Sequence, residues 1–357
     1  MDMKMKLKIL VMSLLMFSGL KVNAQNDDFI QLVTAATQAP SGHNSQPWLF
    51  EIGTNEITIL PNFSRELPAV DPSHREFFMS LGCALENLCI KASSLGYVTQ
   101  VNISQEGIIK VGLQKSEAVR ADLLSEYITK RQTNRSVYDG KIIPDAVLKN
   151  LLKDFNSDKV SIQIFDKNTE VFGQLTGAVM QGNTIQMNDP AFKSELLSWI
   201  RFNKKHSEST NDGISYAALG APNLPRWITE PIVKMSLKGK KQNKTDLKKI
   251  NSSSNIVLIT SVADDIHSWI DAGRTLQRFL LSLTKENIAH AYINQPCEVP
   301  EVRNQLREKI AVNHQFPQIL LRIGYAKPLP YSKRKPIREV IKNKYCLLYT
   351  SPSPRDS

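Results

Sequence analysis

Two long helical segments of similar length constrain the fold more than any other feature of the sequence. One spans residues 71–96, where Asp71 or Ser73 is a plausible N-cap and Gly96 is a C-terminal stop. The other spans residues 265–287, and short strands surround both. Long helices among short, mostly antiparallel strands are typical of a layered α+β fold. We therefore predict an α+β protein whose two halves repeat one order of elements.

The first predicted half comprises residues 25–118. A short amphipathic helix over residues 29–36 ends at Pro40, and alternating apolar residues from Trp48 onward indicate a β-hairpin. Two further short strands follow the long helix and complete this half.

The second predicted half comprises residues 119–342 and contains a strand, a helix pair, the second long helix and two closing strands. Residues 201–231 are rich in Gly, Pro, Ser and Asn but also carry apolar side chains, which favours a lid over a flexible linker. Residues 238–249 contain six lysines and no aromatic residue, so we predict a solvated connector rather than a nucleic-acid site.

Both ends of the chain differ from the body. Residues 1–24 combine lysines, a short apolar run and small residues before a cleavage position after Ala24, the pattern of a secretory signal. We therefore expect export to the periplasm or the exterior, with no membrane-spanning segment after cleavage. Residues 343–357 are rich in Ser and Pro and are predicted to be a non-native tail. The cysteines lack a CxxC or zinc-type spacing, so no metal site is predicted.

The segment "QAPSGHNSQPWLFEI", residues 38–52, carries the strongest functional signal. Ser41, Asn44 and Gln46 are short hydrogen-bonding residues on a turn that two prolines and a glycine constrain. The alternative is a capped turn that leads to a buried Trp48. This segment closely resembles the helix-to-strand segment of the nitroreductase flavoprotein family, which lies against bound FMN.

Two further segments extend this resemblance over about residues 28–341. "KRQTNRSVYDGKIIPDAVLKNLL" is similar to the basic segment of the family, and "ILLRIGYAKPLPYSKRKPIREVI" is similar to its closing strand and arm. Their order fits the Acg-like branch, in which two nitroreductase-type halves share one chain. The resemblance implies a monomer that mimics a nitroreductase dimer, with FMN bound between its halves.

The resemblance also implies the residues that bind FMN. The first half would supply Ser41, Asn44 and Gln46, and the second half Arg131 and Arg135. We expect these arginines to lie one helical turn apart and to bind the phosphate, since guanidinium groups bind phosphate oxygens in pairs. A solvated helix start is the alternative. Further cationic candidates for phosphate binding lie in the arm, namely Arg334 and Lys335 with Lys333 beside them.

Two more residues are candidates by resemblance. Glu298 in "NQPCEVPEV" occupies the place where the family presents backbone N–H groups to the flavin, although Cys297 alters that loop. His43 is a candidate proton donor beside the ring, or else a hydrogen-bonding surface residue. The basic segment departs from the family because Thr133, rather than serine, stands between its arginines.

Three functions remain open at this level. We predict an exported FMN-dependent oxidoreductase that takes electrons from NADPH or NADH, or another donor, and reduces a small oxidised aromatic. The second possibility is an FMN-sequestering protein, whose lid places Tyr216, Leu219 and Trp227 over the flavin ring. The third is a flavin-free interaction scaffold. No nucleic-acid partner is expected.

Overall fold

The computed structural model describes residues 25–342, apart from Asn156. The predicted signal, residues 1–24, and the predicted tail, residues 343–357, lie outside the described residues.

The first half is built on a four-stranded antiparallel sheet. Helix α1, residues 25–37, precedes it, and the strand order is β1–β2–β4–β3. The strands are β1 (Trp48–Ile52), β2 (Glu56–Pro61), β3 (Tyr97–Ile103) and β4 (Ile109–Lys115), and the long helix α2 (Arg75–Ser94) connects β2 to β3. Asp71, a predicted N-cap candidate, accepts a hydrogen bond from the Phe77 amide at 2.8 Å and so caps α2 from outside the helix.

The second half repeats this plan with a second antiparallel sheet of order β5–β8–β10–β9. Its strands are β5 (Val160–Asp166), β8 (Asn255–Ser261), β9 (Ala289–Tyr292) and β10 (Phe316–Gly324), and its long helix is α9 (Ile266–Lys285). The remaining elements are α3 (Asp145–Leu152), α4 (Glu170–Asn188), α5 (Pro190–Trp199), β6 (Ile200–Arg201), α6 (Lys204–Thr210), β7 (Ile214–Ser215), α7 (Arg226–Ser236), α8 (Gly239–Asn251), α10 (Gln295–Glu298), α11 (Pro300–Lys309) and α12 (Ile337–Val340).

The second sheet is buried on both faces because successive side chains of a strand point to opposite sides. In β8, Val257 and Ile259 belong to the main core, which continues through α9 and α2 into the first sheet. Ile256 and Leu258 belong to a second core, which lies under α4 and α8. The main core therefore spans both halves.

Helices α2 and α9 pack directly on each other at two reciprocal glycines. A Cβ atom on Gly82 would collide with the Ile270 carbonyl oxygen, and a Cβ atom on Gly273 would collide with that of Met79. Beside this crossing, the Gln277 side chain donates a hydrogen bond to the Asn87 side chain at 2.6 Å. Both glycines are therefore needed for close approach of the two halves.

The α+β class and the arrangement of two similar halves in one chain are confirmed by these two sheets and their paired helices. The prediction of a solvated connector at residues 238–249 is wrong. Residues Gly239–Asn251 form α8, in which Asp246 and Ile250 are buried, while exposed lysines cover its outer side. The lysine run concealed a helix because so few of its residues are apolar.

The glycine crossing allows a direct test. Replacing Gly273 with alanine is expected to lower the free energy of unfolding by about 1–3 kcal/mol or more, the usual cost of overpacking a close contact. Replacing Gly177 with alanine is the matched control, because that glycine lies within α4 and nothing lies within 4 Å of its added Cβ. The free energy of unfolding of the control should rise by about 0.5–1 kcal/mol, since glycine is a poor helix former. Chemical denaturation of both variants measures the difference, and an unchanged Gly273→Ala variant would contradict the close crossing.

Candidate functional site

A cavity of about 280 Å³ lies between the two halves and receives side chains from both. The first half contributes one face of α2 together with the loop after α1. The second half contributes the segment before α3, the ends of β9 and α10, and the C-terminal arm. Its lining includes Ser41, Gly42, His43, Asn44, Glu76, Met79, Ser80, Cys83, Arg131, Thr133, Arg135, Gly213, Ile214, Ala218, Leu276, Tyr292, Asn294, Glu298 and Arg334.

The loop after α1 has an unusual backbone. His43, Asn44 and Gln46 all have positive φ values, of 49°, 56° and 55°. Non-glycine residues rarely adopt this left-handed conformation, and it concentrates at binding sites. The Ser41 hydroxyl accepts a hydrogen bond from the Gln46 amide at 2.9 Å, which closes the turn.

Asn44 connects this loop to two other parts of the chain. Its side-chain amide donates to the carbonyl oxygens of Gly213 at 3.0 Å and Lys333 at 3.1 Å. Its own carbonyl accepts from the Gly213 amide at 3.2 Å. The Asn44 side-chain oxygen has no hydrogen-bond partner among the described residues. That oxygen is an acceptor available to a ligand in the cavity.

Three arginines border the cavity without a carboxylate partner in the described part of the chain. Arg131 is only 5% exposed, yet its Nε and Nη1 atoms have no hydrogen-bond partner there. Burial lowers the pKa of Arg131 and of Arg135. Burial, followed by repulsion from Arg131, lowers the pKa of Arg334 to about 9. Buried charges without a partner are costly, so this end of the cavity requires an anion.

The expected helical placement of Arg131 and Arg135 is wrong. The chain is irregular and extended there, and Thr133 forms a parallel bridge with His290 next to β9. In an extended segment, residues two apart point to the same side, and Arg131, Thr133 and Arg135 all line the cavity. The two arginines therefore still line the same cavity, together with the threonine that separates them in sequence.

Two candidate ligands of the flavin lie outside the cavity lining. Gln46 is buried, where its side chain donates to the Asn211 carbonyl at 2.9 Å and accepts from the Lys335 amide at 2.9 Å. The Lys335 ammonium group reaches Glu339 at 3.2 Å on the exposed side of the arm. Both residues therefore have a supporting position, in which their hydrogen bonds connect the loop after α1 to Asn211 and to the C-terminal arm.

Arg334 and His43 do lie in the lining. The Arg334 guanidinium donates to the carbonyl oxygens of Thr37 and Ala39 at the end of α1, at 3.0 and 3.2 Å. Burial, and after it Arg135, lower the pKa of His43 to about 4. The His43 ring is therefore neutral near pH 7, and its Nε2 atom has no described partner. In that state His43 can form hydrogen bonds with a ligand but is not a cationic acid.

Glu298 contributes its side chain to the lining, whereas its backbone N–H already donates to the Asn294 carbonyl at 3.2 Å. The Glu298 carboxyl accepts a hydrogen bond from the Gln186 side chain at 2.5 Å. Glu76, at the start of α2, borders the same cavity and accepts from the Asn294 side chain. The structure thus adds a second carboxyl group that sequence analysis did not single out.

The segment that closes the cavity differs from the predicted lid. Gly213, Ile214 and Ala218 line the cavity, whereas Leu219 is 44% exposed and Trp227 is 77% exposed. Tyr216 is not part of the lining either, so the expectation that Tyr216, Leu219 and Trp227 cover a flavin ring is wrong. Shorter side chains close the site, and the Gly213 backbone lies directly against Asn44. We define residues 211–218 as the closing segment.

A buried ion cluster holds the closing segment in place. Asp212 accepts hydrogen bonds from Arg201 at 2.9 Å and 2.6 Å and forms an ion pair with Arg65, which extends from the first half. Burial acts to raise the pKa of Asp212, but the bonds from Arg65 and Arg201 hold it below its ordinary value. Arg65 also donates to the Ser45 carbonyl at 2.7 Å, which joins this cluster to the cavity loop.

Sequence analysis missed Glu76, Tyr292, Asn294 and the lining role of Thr133. Glu76 lies in a helix whose residues read as core, and its proximity to residue 298 depends on tertiary structure. Thr133 did carry a signal, since it places a hydroxyl group where the family commonly has serine. Within the described ranges, no group of His, Cys, Asp and Glu side chains could hold a metal ion, and no helix is long and apolar enough to cross a bilayer.

Comparison with known proteins places this geometry in context. No family model matches the chain. The chain is 24% identical over 322 residues to "Putative NAD(P)H nitroreductase Rv3131" of Mycobacterium tuberculosis, which covers 87% of this chain and 90% of that protein. It is also 24% identical over 324 residues to "Putative NAD(P)H nitroreductase acg" of the same organism, which covers 86% and 93%.

Solved structures give a weaker match. A nitroreductase with bound FMN from Bacteroides fragilis has a TM-score of 0.34 and 16% identity, and covers 58% of this chain and 90% of that chain. A structure described as "a putative nitroreductase" from Anabaena variabilis has a TM-score of 0.42 and 11% identity, and covers 76% and 69%. At these TM-scores the solved structures carry no argument here. The long sequence matches do, and they confirm the predicted resemblance to the nitroreductase family, in which the Acg-like branch fits best because one of the two relatives is acg itself.

Proposed function

We propose that the chain is an FMN-dependent oxidoreductase of the nitroreductase type. The observation that carries the proposal is the convergence of Arg131, Arg135 and Arg334 on one cavity without a carboxylate partner among the described residues. A bound phosphate group would neutralise these charges and fill the hydrogen-bonding capacity of Arg131. The names of the two Mycobacterium tuberculosis relatives support a reductase that uses NADPH or NADH.

The lining residues offer partners both for the phosphate of FMN and for the polar groups of the rest of the molecule. Arg131, Arg135 and Arg334 would hold the phosphate, with the Thr133 hydroxyl between the first two. The unpaired atoms of His43 and Asn44 would form hydrogen bonds with the remainder of the molecule. When bound, FMN would supply hydride transfer, while the protein positions it and shields it from water.

A comparison of FMN with riboflavin tests the phosphate assignment. We expect FMN to bind the purified chain with quenched fluorescence, and riboflavin to bind at least about 100-fold more weakly, because each hydrogen bond to a charged group contributes about 1.5–3 kcal/mol. Fluorescence titration measures both affinities. Equal affinities would show that the arginines do not bind the phosphate. Absence of saturable binding by either flavin would favour the flavin-free scaffold.

The finer features of the proposal concern substrate, assembly and location. The substrate would be a small oxidised aromatic, and one chain would provide the complete site, since both halves line the cavity. We also propose export with cleavage after Ala24, on the strength of the signal-like sequence in residues 1–24. N-terminal sequencing of exported protein should begin at Gln25. Protein that keeps residues 1–24 and stays in the cytoplasm would contradict export.

A second candidate function is FMN sequestration, and one observation favours it. The closing segment is fixed by the cluster of Asp212, Arg65 and Arg201, and by two hydrogen bonds between Asn44 and Gly213. A segment held this firmly would restrict the access of a nicotinamide to the cavity. The enzyme and the sequestering protein would share the same flavin contacts but differ in how fast an external donor reaches them.

A further inference from the structure

The wall of the cavity contains more carboxyl groups than cations to balance them. Glu76 and Glu298 both line the cavity, and Asp71 is buried beside the start of the same helix. The charge that faces them is Arg75, whose Nη2 atom lies 3.0 Å from a Glu76 oxygen. Arg303 lies near Cys297 but is paired with Asp264 at 2.7 Å.

The hydrogen bonds around the two glutamates bring them together. The Asn294 side chain donates to Glu76, and the Asn294 backbone carbonyl accepts from the Glu298 N–H at 3.2 Å. Arg75 is shared in a similar way, because it pairs with Glu76 and donates to the carbonyl oxygen of Cys297, next to Glu298, at 3.1 Å. Two largely enclosed carboxyl groups with common neighbours cannot both ionise without a penalty, and such pairs retain a proton.

We propose that Glu76 and Glu298 hold one proton between them at neutral pH and present it to a ligand in the cavity. This wall therefore acts as a hydrogen-bond donor. It favours ligands that carry a hydrogen-bond acceptor, such as the oxygen of a quinone or nitro group. The inference deepens the proposed function, on which its catalytic consequence rests.

The raised proton affinity agrees with this geometry. Burial, and after it the charge of Glu298, raise the pKa of Glu76 well above its ordinary value. Burial also raises the pKa of Glu298, while the bond from Gln186 and the charge of Arg75 oppose the shift. The arginines of the phosphate end are not among the groups that shift either carboxyl. Tyr292 also lines the cavity, where burial raises its pKa and the charges of Glu76, Arg131 and Arg135 also act on that pKa.

The shared proton has a defined use in reduction of a quinone. With FMN bound and reduced, a hydride would supply two electrons and one proton, and the carboxyl pair would supply the second proton. The quinone then leaves as the hydroquinone, and both glutamates remain as carboxylates. The pair recovers one proton from water before the next turnover.

Infrared spectroscopy of the chain without flavin tests the shared proton independently of FMN binding. We expect a protonated carboxyl band at neutral pH, and its loss in Glu298→Gln and in Glu76→Gln, because a single remaining carboxylate can pair with Arg75. Glu86→Gln is the matched control. Glu86 is more deeply buried than either glutamate but lies between Arg274 and Arg278, at 2.9 and 2.7 Å. The control should keep the band. Absence of the band in the unaltered chain would overturn the proposal, as would its persistence in both glutamate variants.

Stability against pH gives a second test with a defined sign. A carboxyl group whose pKa is raised by folding stabilises the fold below its unfolded pKa, near 4.3, and this stabilisation is lost as pH rises through the folded pKa. Relative to the unaltered chain, Glu298→Gln should therefore gain melting temperature as pH rises from about 5 to about 8. A constant difference over that range would contradict a proton held by the pair.

The catalytic consequence needs the flavin-loaded protein. Glu298→Gln should reduce a quinone at least about tenfold more slowly, since a positioned acid usually contributes 100-fold or more. Failure of the chain to bind FMN would end the proposed function but leave the infrared result valid. An unchanged rate, together with loss of the infrared band, would limit the pair to ligand binding and overturn its role as the proton source.

Discussion

Replacing Arg131 with methionine is expected to weaken FMN binding by roughly 10- to 150-fold and, at the same time, to stabilise the flavin-free protein. The loss of affinity follows from a missing charge-assisted contact of about 1.5–3 kcal/mol. The gain in stability has a different cause. In the flavin-free state, Arg131 is a buried cation with two unpaired nitrogen atoms, and it also repels Arg334. A neutral side chain of similar length removes both penalties.

Arg322→Met is the matched control for this prediction. Arg322 is also buried, but its guanidinium donates to the Ser136 carbonyl at 2.7 Å and packs over the Tyr138 ring at 3.9 Å. Its loss should destabilise the flavin-free protein, because it leaves buried carbonyl groups without donors. Thermal unfolding without flavin measures the change in stability of each variant. A gain in Arg131→Met together with a loss in Arg322→Met would identify a preformed anion site. Destabilisation by Arg131→Met, with unchanged FMN affinity, would place the phosphate elsewhere.

The elements with strong local signals could be predicted from the sequence. The hairpin of β1 and β2, the long helices α2 and α9, and the strands around them lie where their periodicity indicated. Each buries a regular apolar pattern against neighbours, so local sequence and tertiary packing agree.

The arrangement at residues 131–135 could not be predicted from spacing. Residues four apart share one side both in a helix, where they are one turn apart, and in an extended chain, where they are two pleats apart. Spacing therefore indicated that Arg131 and Arg135 converge but left the backbone undecided. The pairing of Thr133 with His290 in the second sheet decides it, and that contact joins segments distant in sequence.

The carboxyl pair was hidden for a related reason. Glu76 lies in the first turn of a helix that reads as core, and Glu298 is the last residue of a short helix more than two hundred residues later. Only the packing of α2 against α9 and β10 brings the two glutamates into the wall of one cavity. The reciprocal contacts of Gly82 and Gly273 permit that packing, although a single glycine in each helix gave no sequence signal of its role.

Replacing Asp212 with asparagine is expected to accelerate reduction of bound flavin by NADPH at least tenfold. Asp212 is the acceptor that joins Arg65 of the first half to Arg201 of the second. Removing one partner of a buried ion cluster typically costs 3–5 kcal/mol, because the remaining charges stay buried and unpaired. The substitution therefore destabilises the closed position of residues 211–218, and the closing segment should open more often. Hydride transfer needs close approach of the nicotinamide, which the open position would allow.

Stopped-flow measurement of flavin bleaching in the flavin-loaded protein separates the two candidate functions. Glu86→Gln is again the control, since it also removes a carboxylate between two arginines but lies outside the cavity and the closing segment. Slow bleaching in the unaltered protein and in the control, with fast bleaching in Asp212→Asn, would show that the closing segment restricts electron transfer and would support sequestration. Fast bleaching in all three would support an ordinary reductase. If none bleaches while dithionite still reduces the bound flavin, nicotinamide is not the donor, and the closing segment is not what excludes it.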